Sequence, residues 1–403
     1  MKGENGKMKS NLEQTEIEAP YELPEGWKWV QQNEVCKLTD GEKRTGTEFP
    51  YLEVKYLRGK KEKDFVSIGK FIKAGTKVIL VDGENSGEVF TVPEDGFMGS
   101  TFKALEISNV NENYLQYFIH TKKDLYRNNK KGSAIPHLDK KLFFTMPFPL
   151  PPTLAEQQRI VNRIESMFAK LDEAKEKAQN VVDSFETRKA AILHKAFTGE
   201  LTAKWRKENG VSDDSWVEKT IGECLIAISD KYDPQKDKID GVQYIGLENI
   251  EANGGIISTG DVSSVKSIKT LFKNNDLLYG KLRPYLNKHD IVEFDGICST
   301  DILVYRSKPE YEIKFFNYLF SQNCFIQYAI ENSNGINLPR TSEKNISAYS
   351  QKIPTFPEQV EIVRILDIII EKENKAKQAA EAVLEQIDLL KKSILARAFR
   401  GEL

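Results

Sequence analysis

The chain has 403 residues, with 58 Lys and Arg against 60 Asp and Glu, for a formal net charge of −2. Hydrophobic residues make up 40%, enough for real cores, which excludes a disordered chain. Near-neutrality excludes a uniformly basic nucleic-acid coat but leaves room for local basic patches. At about 100–200 residues per domain the length suggests two to four domains.

The chain opens on a Gly/Lys/Asn-rich segment, residues 1–20, expected to be flexible and without the apolar run of a secretory signal. Residues 21–150 carry strand signals such as Lys77-Val78-Ile79-Leu80-Val81, turn residues such as Asp82-Gly83, and a short helical stretch from Tyr114 to Tyr126. They predict a small α+β domain. Residues 151–201 predict a spacer helix. Apolar residues fall at Ile160, Ile164, Met167, Leu171, Ala174, Ala178, Val181 and Phe185, spaced 4-3-4-3-4-3-4. That is a heptad seam held for about four heptads. Pro151-Pro152 suit its start and Gly199 its end. A linker, 202–215, follows.

Residues 216–352 predict a second α+β domain, with strand signals such as Asp301-Ile302-Leu303-Val304-Tyr305 and a helical stretch from Tyr311 to Ile330. Residues 353–403 predict a second spacer helix. Its seam runs Ile362, Leu366, Ile369, then Glu373 off pattern, then Ala376, Ala380, Val383, Ile387, Leu390 and Ile394. Each helix would be about 65 Å long at 1.5 Å per residue. A seam of that length needs a partner. Either each helix dimerises with another chain, or the two pack on each other, antiparallel, within this one. The second arrangement places Ile164, Leu171, Val181 and Phe185 against Leu366, Ile369, Val383, Ile387 and Leu390.

The chain is internally duplicated. Residues 152–201 match 354–403 without a gap at 19 of 50 positions. Weaker matches join the domains: Trp29-Val30 with Trp216-Val217, Tyr51-Leu52 with Tyr244-Ile245, Ser100-Thr101 with Ser299-Thr300, and Gly132 and Pro136 with Gly335 and Pro339.

Basic residues collect in loops. Lys55, Arg58, Lys60, Lys61 and Lys63 form one cluster, and Lys122, Lys123, Arg127, Lys130 and Lys131 another, which His137 extends. In the second domain Lys281, Arg283, Lys288 and His289 interleave with Tyr279 and Tyr285, and Arg340 follows. Such mixtures grip phosphates and read bases; the alternative is a solvated lysine-rich surface. Pro284 predicts an extended Arg283, free for DNA or paired with Asp290 or Asp301.

No phosphate loop or methyltransferase motif is found. Glu53-Val54-Lys55 with Asp40 is the one nuclease-like pattern, and the second domain lacks it. Cys36, Cys224, Cys298 and Cys324 show neither CxxC nor zinc spacing. No apolar run reaches about 18 residues, so a cytoplasmic chain with no membrane partner is expected.

Leu23-Pro24-Glu25-Gly26-Trp27, Gly280-Lys281-Leu282-Arg283-Pro284-Tyr285-Leu286, Pro149-Leu150-Pro151-Pro152 with Glu156-Gln157, and Ala196-Phe197-Thr198-Gly199-Glu200-Leu201 together resemble the specificity subunit of a type I restriction–modification enzyme. Gln351-Lys352-Ile353-Pro354 departs from the family's proline-rich helix start. The resemblance implies a non-catalytic subunit with two target-recognition domains related by a pseudo-twofold axis. Each reads one half of a split, asymmetric DNA target, and the two helices set the spacing. It also implies two methyltransferase (modification) subunits docked on the helices and motor/endonuclease (restriction) subunits beside them. S-adenosylmethionine, ATP and magnesium belong to those partners, with no cofactor in this chain. A coiled-coil scaffold with two protein-binding heads is the competing reading.

Overall fold

The computed structural model describes residues 19–131, 136–237, 242–262 and 265–403. The expected flexible segment lies outside these residues up to position 18, as does Gly132. Two compact units emerge: Met1–Ala178 with Ala382–Leu403, and Gln179–Glu381. Each combines one globular part with stretches of both long helices.

In the first unit the strand Lys28–Gln31 pairs antiparallel with Pro147–Leu150, Val30 opposite Phe148. A four-stranded antiparallel sheet runs in the order Cys36–Thr39, Phe102–Ile107, Lys77–Leu80, Val89–Thr91. Glu42–Leu52, Phe65–Ile72 and Gly96–Met98 close on one another, with Tyr51 and Leu52 running parallel to Phe97 and Met98. The alternation of a strand explains why Lys77–Leu80 is buried throughout. Ile79 joins one core, with Tyr114, Phe118 and Phe148, while Val78 and Leu80 join the other, with Leu52 and Phe102. The helix Glu112–Thr121 is capped by the Asn111 side chain.

The second unit repeats this topology. Val217–Thr220 pairs with Ser350–Ile353. One sheet runs Leu225–Ile228, Ile302–Ser307, Leu277–Gly280, His289–Ile291. The other runs Lys231–Tyr232, Lys269–Phe272, Gly296–Cys298, Gln243–Ile245, with the last pair parallel. Leu277 and Tyr279 face one core and Leu278 the other.

The register corrects two sequence matches. Both units start a turn with a capping box, Gln31 with Glu34 and Thr220 with Glu223. Trp27 therefore answers Trp216; the nearby Trp29 had let the match slip by two. The amides of Gly99 and Ser299 bond Leu52 and Ile245, so Ser299 answers Gly99, and Asp301 answers Thr101. Tyr51-Leu52 and Tyr244-Ile245 match as expected.

The first long helix runs Leu154–Asp183 and Phe185–Phe197, broken by a turn at Ser184. The Ser184 hydroxyl bonds back to the Asn180 carbonyl, a contact that bends helices. The second runs unbroken over Phe356–Phe399. Gly199 and Gly401, at φ +82° and +75°, follow the helix ends.

Within the first unit, Ile160, Val161 and Ile164 share a core with Leu395, Ala398 and Phe399. Lys391 reaches Asp172 at 2.5 Å and lies 5.1 Å from the Phe168 ring. Within the second, Leu193, Ala196 and Phe197 meet Ile362, Val363 and Leu366. Arg188 pairs with Glu373 at 2.8 Å, and Lys377 lies over Phe185. Residue numbers rise on one helix as they fall on the other in both sets, so each is antiparallel.

The expected phase of the second helix needs correction. Val383 is 39% and Leu390 48% exposed, and Ala376 also faces out. Ala380 and Ile387, both in the expected seam, are buried, but Leu384 and Lys391 turn inward with them in place of Val383 and Leu390. Glu373 and Lys377 continue that 4-3 spacing on its N-terminal side. Polar residues hold inward positions there because their aliphatic stems pack and their charges find partners.

Candidate nucleic-acid interface

In the second unit the central strand Leu277–Gly280 runs into a loop that carries most of the predicted contacts. The loop must reverse within a few residues to begin His289–Ile291. Arg283 makes the reversal at φ +55°, ψ +63°, not in the extended conformation expected. Pro284 disfavours the right-handed region for the residue before it, and the turn excludes the extended one. The Arg283 amide donates to the Pro339 carbonyl at 2.7 Å, and its own carbonyl accepts from the Leu286 amide at 2.8 Å. A left-handed non-glycine residue costs about 1–2 kcal/mol. Asn287 is a second one, buried, with its Nδ2 donating to the Phe320 carbonyl at 3.0 Å.

Arg283 is exposed and has no ion-pair partner among the described residues. Neither expected acid takes it. Asp301 pairs with Arg340 at 2.8 Å, and Asp290 accepts from the Ile256 and Ile291 amides and from Asn317. Tyr285 is half exposed beside it. Lys281 lies one bridge away: Leu282 pairs with Arg340, and the Thr341 amide bonds the Lys281 carbonyl. Burial lowers the pKa of Lys281, with Asp301 opposing and Arg340 adding to the shift. Lys288 spans the loop's far side, donating to the Leu247 carbonyl at 2.7 Å. The structure thus gathers Lys281, Arg283, Tyr285 and Arg340 on adjoining loops and ties the Lys288 ammonium back to Leu247.

Sequence reasoning missed Lys231 and Lys269. Both sit on strands beside this cluster. Burial pushes the Cys298 thiol up to about 12, against the opposing influence of Lys231, Lys281 and Lys269. The signal was strand pairing, which spacing along the chain does not reveal.

The first unit builds the same loops with different charges. Gly83, at φ +102°, stands where Arg283 stands, and its amide also bonds a proline carbonyl, that of Pro136, at 2.7 Å. His137 stands where Arg340 stands, bridging to both Lys131 and Asp82. Its Nδ1 lies 2.6 Å from Asp82 Oδ1. Lys130 pairs with Glu84 at 2.6 Å, Lys131 with Asp139 at 3.0 Å, and Arg58 with Glu88. The loop Asp82–Glu88 therefore gathers Lys130, His137 and Arg58 from distant parts of the sequence and supplies an acid to each. Lys61 is held by Glu53 and Asp64, which raise its pKa. Lys55 and Lys60 remain exposed without ion pairs among the described residues.

Asp40 and Glu53, the acids of the nuclease-like pattern, are taken up separately. Asp40 is held down to about 2 by Lys103 and Lys70, and Glu53 bonds Lys61 at 2.6 Å. No helix among the described residues is long and apolar enough to cross a membrane.

The chain is thus a duplicated mixed helix-and-sheet protein with an equivalent loop cluster in each unit. The family of type I restriction modification DNA specificity domains matches residues 24–183 and 213–386, and the chain belongs to it. Among its relatives is the EcoDI specificity subunit of Escherichia coli, 24% identical over 94% of this chain and 89% of that one. Another is the MjaVIII specificity subunit of Methanocaldococcus jannaschii, 26% identical over 94% of each chain. The crystal structure of the HsdS subunit from Thermoanaerobacter tengcongensis shares the fold, with a TM-score of 0.63 at 19% identity, covering 96% of this chain and all of that one. A chain from a study of complex assembly in the type I R-M system gives a TM-score of 0.68 at 17% identity, covering 95% and 100%.

Proposed function

We propose that this chain is the non-catalytic DNA-recognition subunit of a type I restriction–modification assembly. Target-recognition domains at 21–150 and 216–352 each read one half of a bipartite, asymmetric duplex target. The long helices, at 151–201 and 353–403 with a linker at 202–215, pack as an intramolecular antiparallel coiled coil about a pseudo-twofold axis. They hold the domains at a fixed spacing.

The observation that carries this reading is a single loop scaffold, built twice, bearing different side chains at equivalent positions. One scaffold explains two half-sites, and the different side chains explain why the halves are unlike. A helix of about 65 Å matches about 19 base pairs of rise, and domains folded inward would bring the half-sites closer. Lys281, Arg283, Tyr285, Lys288 and Arg340 contact DNA from the second domain. Lys55, Arg58, Lys60, Lys61, Lys130, Lys131 and His137 do so from the first, where some must exchange carboxylates for phosphates. Family membership favours this over a scaffold with protein-binding heads.

Two methyltransferase subunits dock along the helices, restriction subunits join them, and S-adenosylmethionine, ATP and magnesium are used by those partners in the cytoplasm. Sequencing the methylated adenines of the host with and without this gene tests the whole reading. The expected result is a split, non-palindromic motif that vanishes with the gene. Adding one heptad to both helices should widen its central gap by about three base pairs at about 10.5 Å, leaving both halves unchanged. Altered half-sites at constant spacing would refute the ruler.

A further inference from the structure

Ile336 is the one residue among the buried and exposed apolar side chains described that is wholly uncovered, at 100% exposure. It does not sit on a frayed segment. The loop that bears it is closed by a reciprocal bridge, Asn334 and Arg340 each donating an amide to the other's carbonyl at 2.9 Å. Gly335 turns the loop at φ +103°, where an added Cβ would meet the Leu338 carbonyl oxygen at 3.0 Å. The bend is therefore specified by the backbone, and it presents Ile336 outward with Leu338 half exposed behind it.

The surroundings decide what such a side chain is for. A residue that docks protein belongs in an apolar patch with a polar rim. Ile336 instead lies in a short loop between Asn334 and Arg340, and the same loop is tied to Arg283, whose amide donates to the Pro339 carbonyl. Lys281 adjoins the loop's end, its carbonyl accepting from the Thr341 amide. An exposed aliphatic tip on a loop held by the backbone of two arginines fits a stack of bases between two phosphate chains. Aliphatic wedges of this kind enter base steps and partly unstack them.

We infer that Ile336 inserts between neighbouring bases of the half-site bound by the second domain, with Arg283 and Arg340 on the flanking backbone. The inference rests on the DNA reading proposed above. It makes the distortion one-sided. The sequence offers Ser133 at the position of Ile336 in the other half, with too short a side chain to fill a base step; that residue lies outside the described ones.

The test uses the chain assembled with its methyltransferase subunits on duplex carrying the host target. Permanganate reports unstacked thymines and diethyl pyrocarbonate unstacked purines, so every step is covered. The wild-type complex should create hyperreactive bases within one half-site. Ile336→Ala should lose them while keeping salt-dependent retention of duplex in a mobility-shift assay, and Ile336→Leu should keep both. Unchanged hyperreactivity in Ile336→Ala, or none in wild type, overturns the inference while leaving DNA recognition intact. Loss of methyltransferase co-purification in Ile336→Ala, with normal hyperreactivity per assembled complex, overturns it in favour of protein docking. Failure of the wild-type complex to retain any duplex overturns the DNA reading, and this inference with it.

Discussion

The two units place the same backbone under opposite charge. At equivalent loop positions the first carries Val81, Gly83, Asn85, Glu88 and His137, and the second Lys281, Arg283, Tyr285, Lys288 and Arg340. The bridging residue meets a carboxylate in both, but from different loops. His137 uses Asp82, at the position of Leu282, whereas Arg340 uses Asp301, at the position of Thr101. The fold can thus keep its hydrogen-bonded frame while exchanging the side chains its loops display. The frame is backbone-to-backbone, so it places few demands on the residues it displays.

The largest difference between the units lies at the helix starts, and a single substitution in each should expose it. Glu358 is fully buried, bonded to Arg206, Thr202 and Trp216 at 2.6, 2.6 and 3.0 Å. Its repeat, Glu156, is partly exposed and pairs with Arg159 one turn on. Glu358→Ala leaves Arg206 with the Thr202 hydroxyl and, as its remaining carboxylate, the exposed Asp213, and should cost about 3–5 kcal/mol. Glu156→Ala should cost no more than about 1 kcal/mol. Urea unfolding followed by peptide-resolved hydrogen exchange reads both; equal costs would break the contrast.

Acid should act next, and mainly on the second unit. His289 is buried among Asn317, Ser321 and Phe320, and burial lowers its pKa from 6.5 to about 4. The folded state then binds fewer protons than the unfolded chain between those values. Stability is full above about pH 7, falls as pH drops through 6.5, and levels off below about 4. The loss is about 3 kcal/mol. The strand position of His289 is held by Val89 in the first unit, so His289→Gln should flatten the profile of the second unit alone. His120, lowered by its own burial, adds a shallower dependence of the same sign in the first.

These contrasts separate what the sequence could tell from what it could not. The duplication, the two α+β parts and the helix ends were legible because they repeat as local patterns: Lys77-Val78-Ile79 against Leu277-Leu278-Tyr279, and Gly199 against Gly401. The phase of the second helix was not. Apolar Val383 and Leu390 advertise a seam, whereas the helix packs through Glu373, Lys377 and Lys391, whose partners lie on another element. Nor was the conformation of Arg283 legible, since it is set by Pro339, more than fifty residues on. Basic clusters were visible as composition, but which charges were already spent on Glu84, Glu88 or Asp82 depends on tertiary pairing.

Arg283 should sharpen the contrast at the recognition loop. Arg283→Ala removes an exposed guanidinium and should weaken duplex binding by the assembled complex by about 1–3 kcal/mol, with methyltransferase assembly unchanged. Arg283→Gly installs the first unit's residue. It should weaken DNA binding as much while stabilising the second unit by up to about 1 kcal/mol, because glycine carries no penalty at positive φ. Reduced thermal stability in both variants with unchanged affinity would make Arg283 a structural residue.

The smallest expected effect concerns the polar positions of the helix pairs. Glu373 meets Arg188 in the second unit, with both side chains at most about a third exposed. Asp172 meets Lys391 in the first, and Asp172 is more than half exposed. Screening leaves such pairs about 0.2–1 kcal/mol. Arg188 also donates to the Val181 carbonyl and to the Ser184 hydroxyl, so Glu373→Ala does not strand its charge. The cost should therefore stay near the upper end of that range for Glu373→Ala and near the lower end for Asp172→Ala, and both should shrink in high salt. Glu373→Leu separates pairing from packing. If the position is inward-facing, leucine should be neutral or stabilising in thermal unfolding, whereas a solvent-facing position would gain nothing and would lose the salt dependence alone.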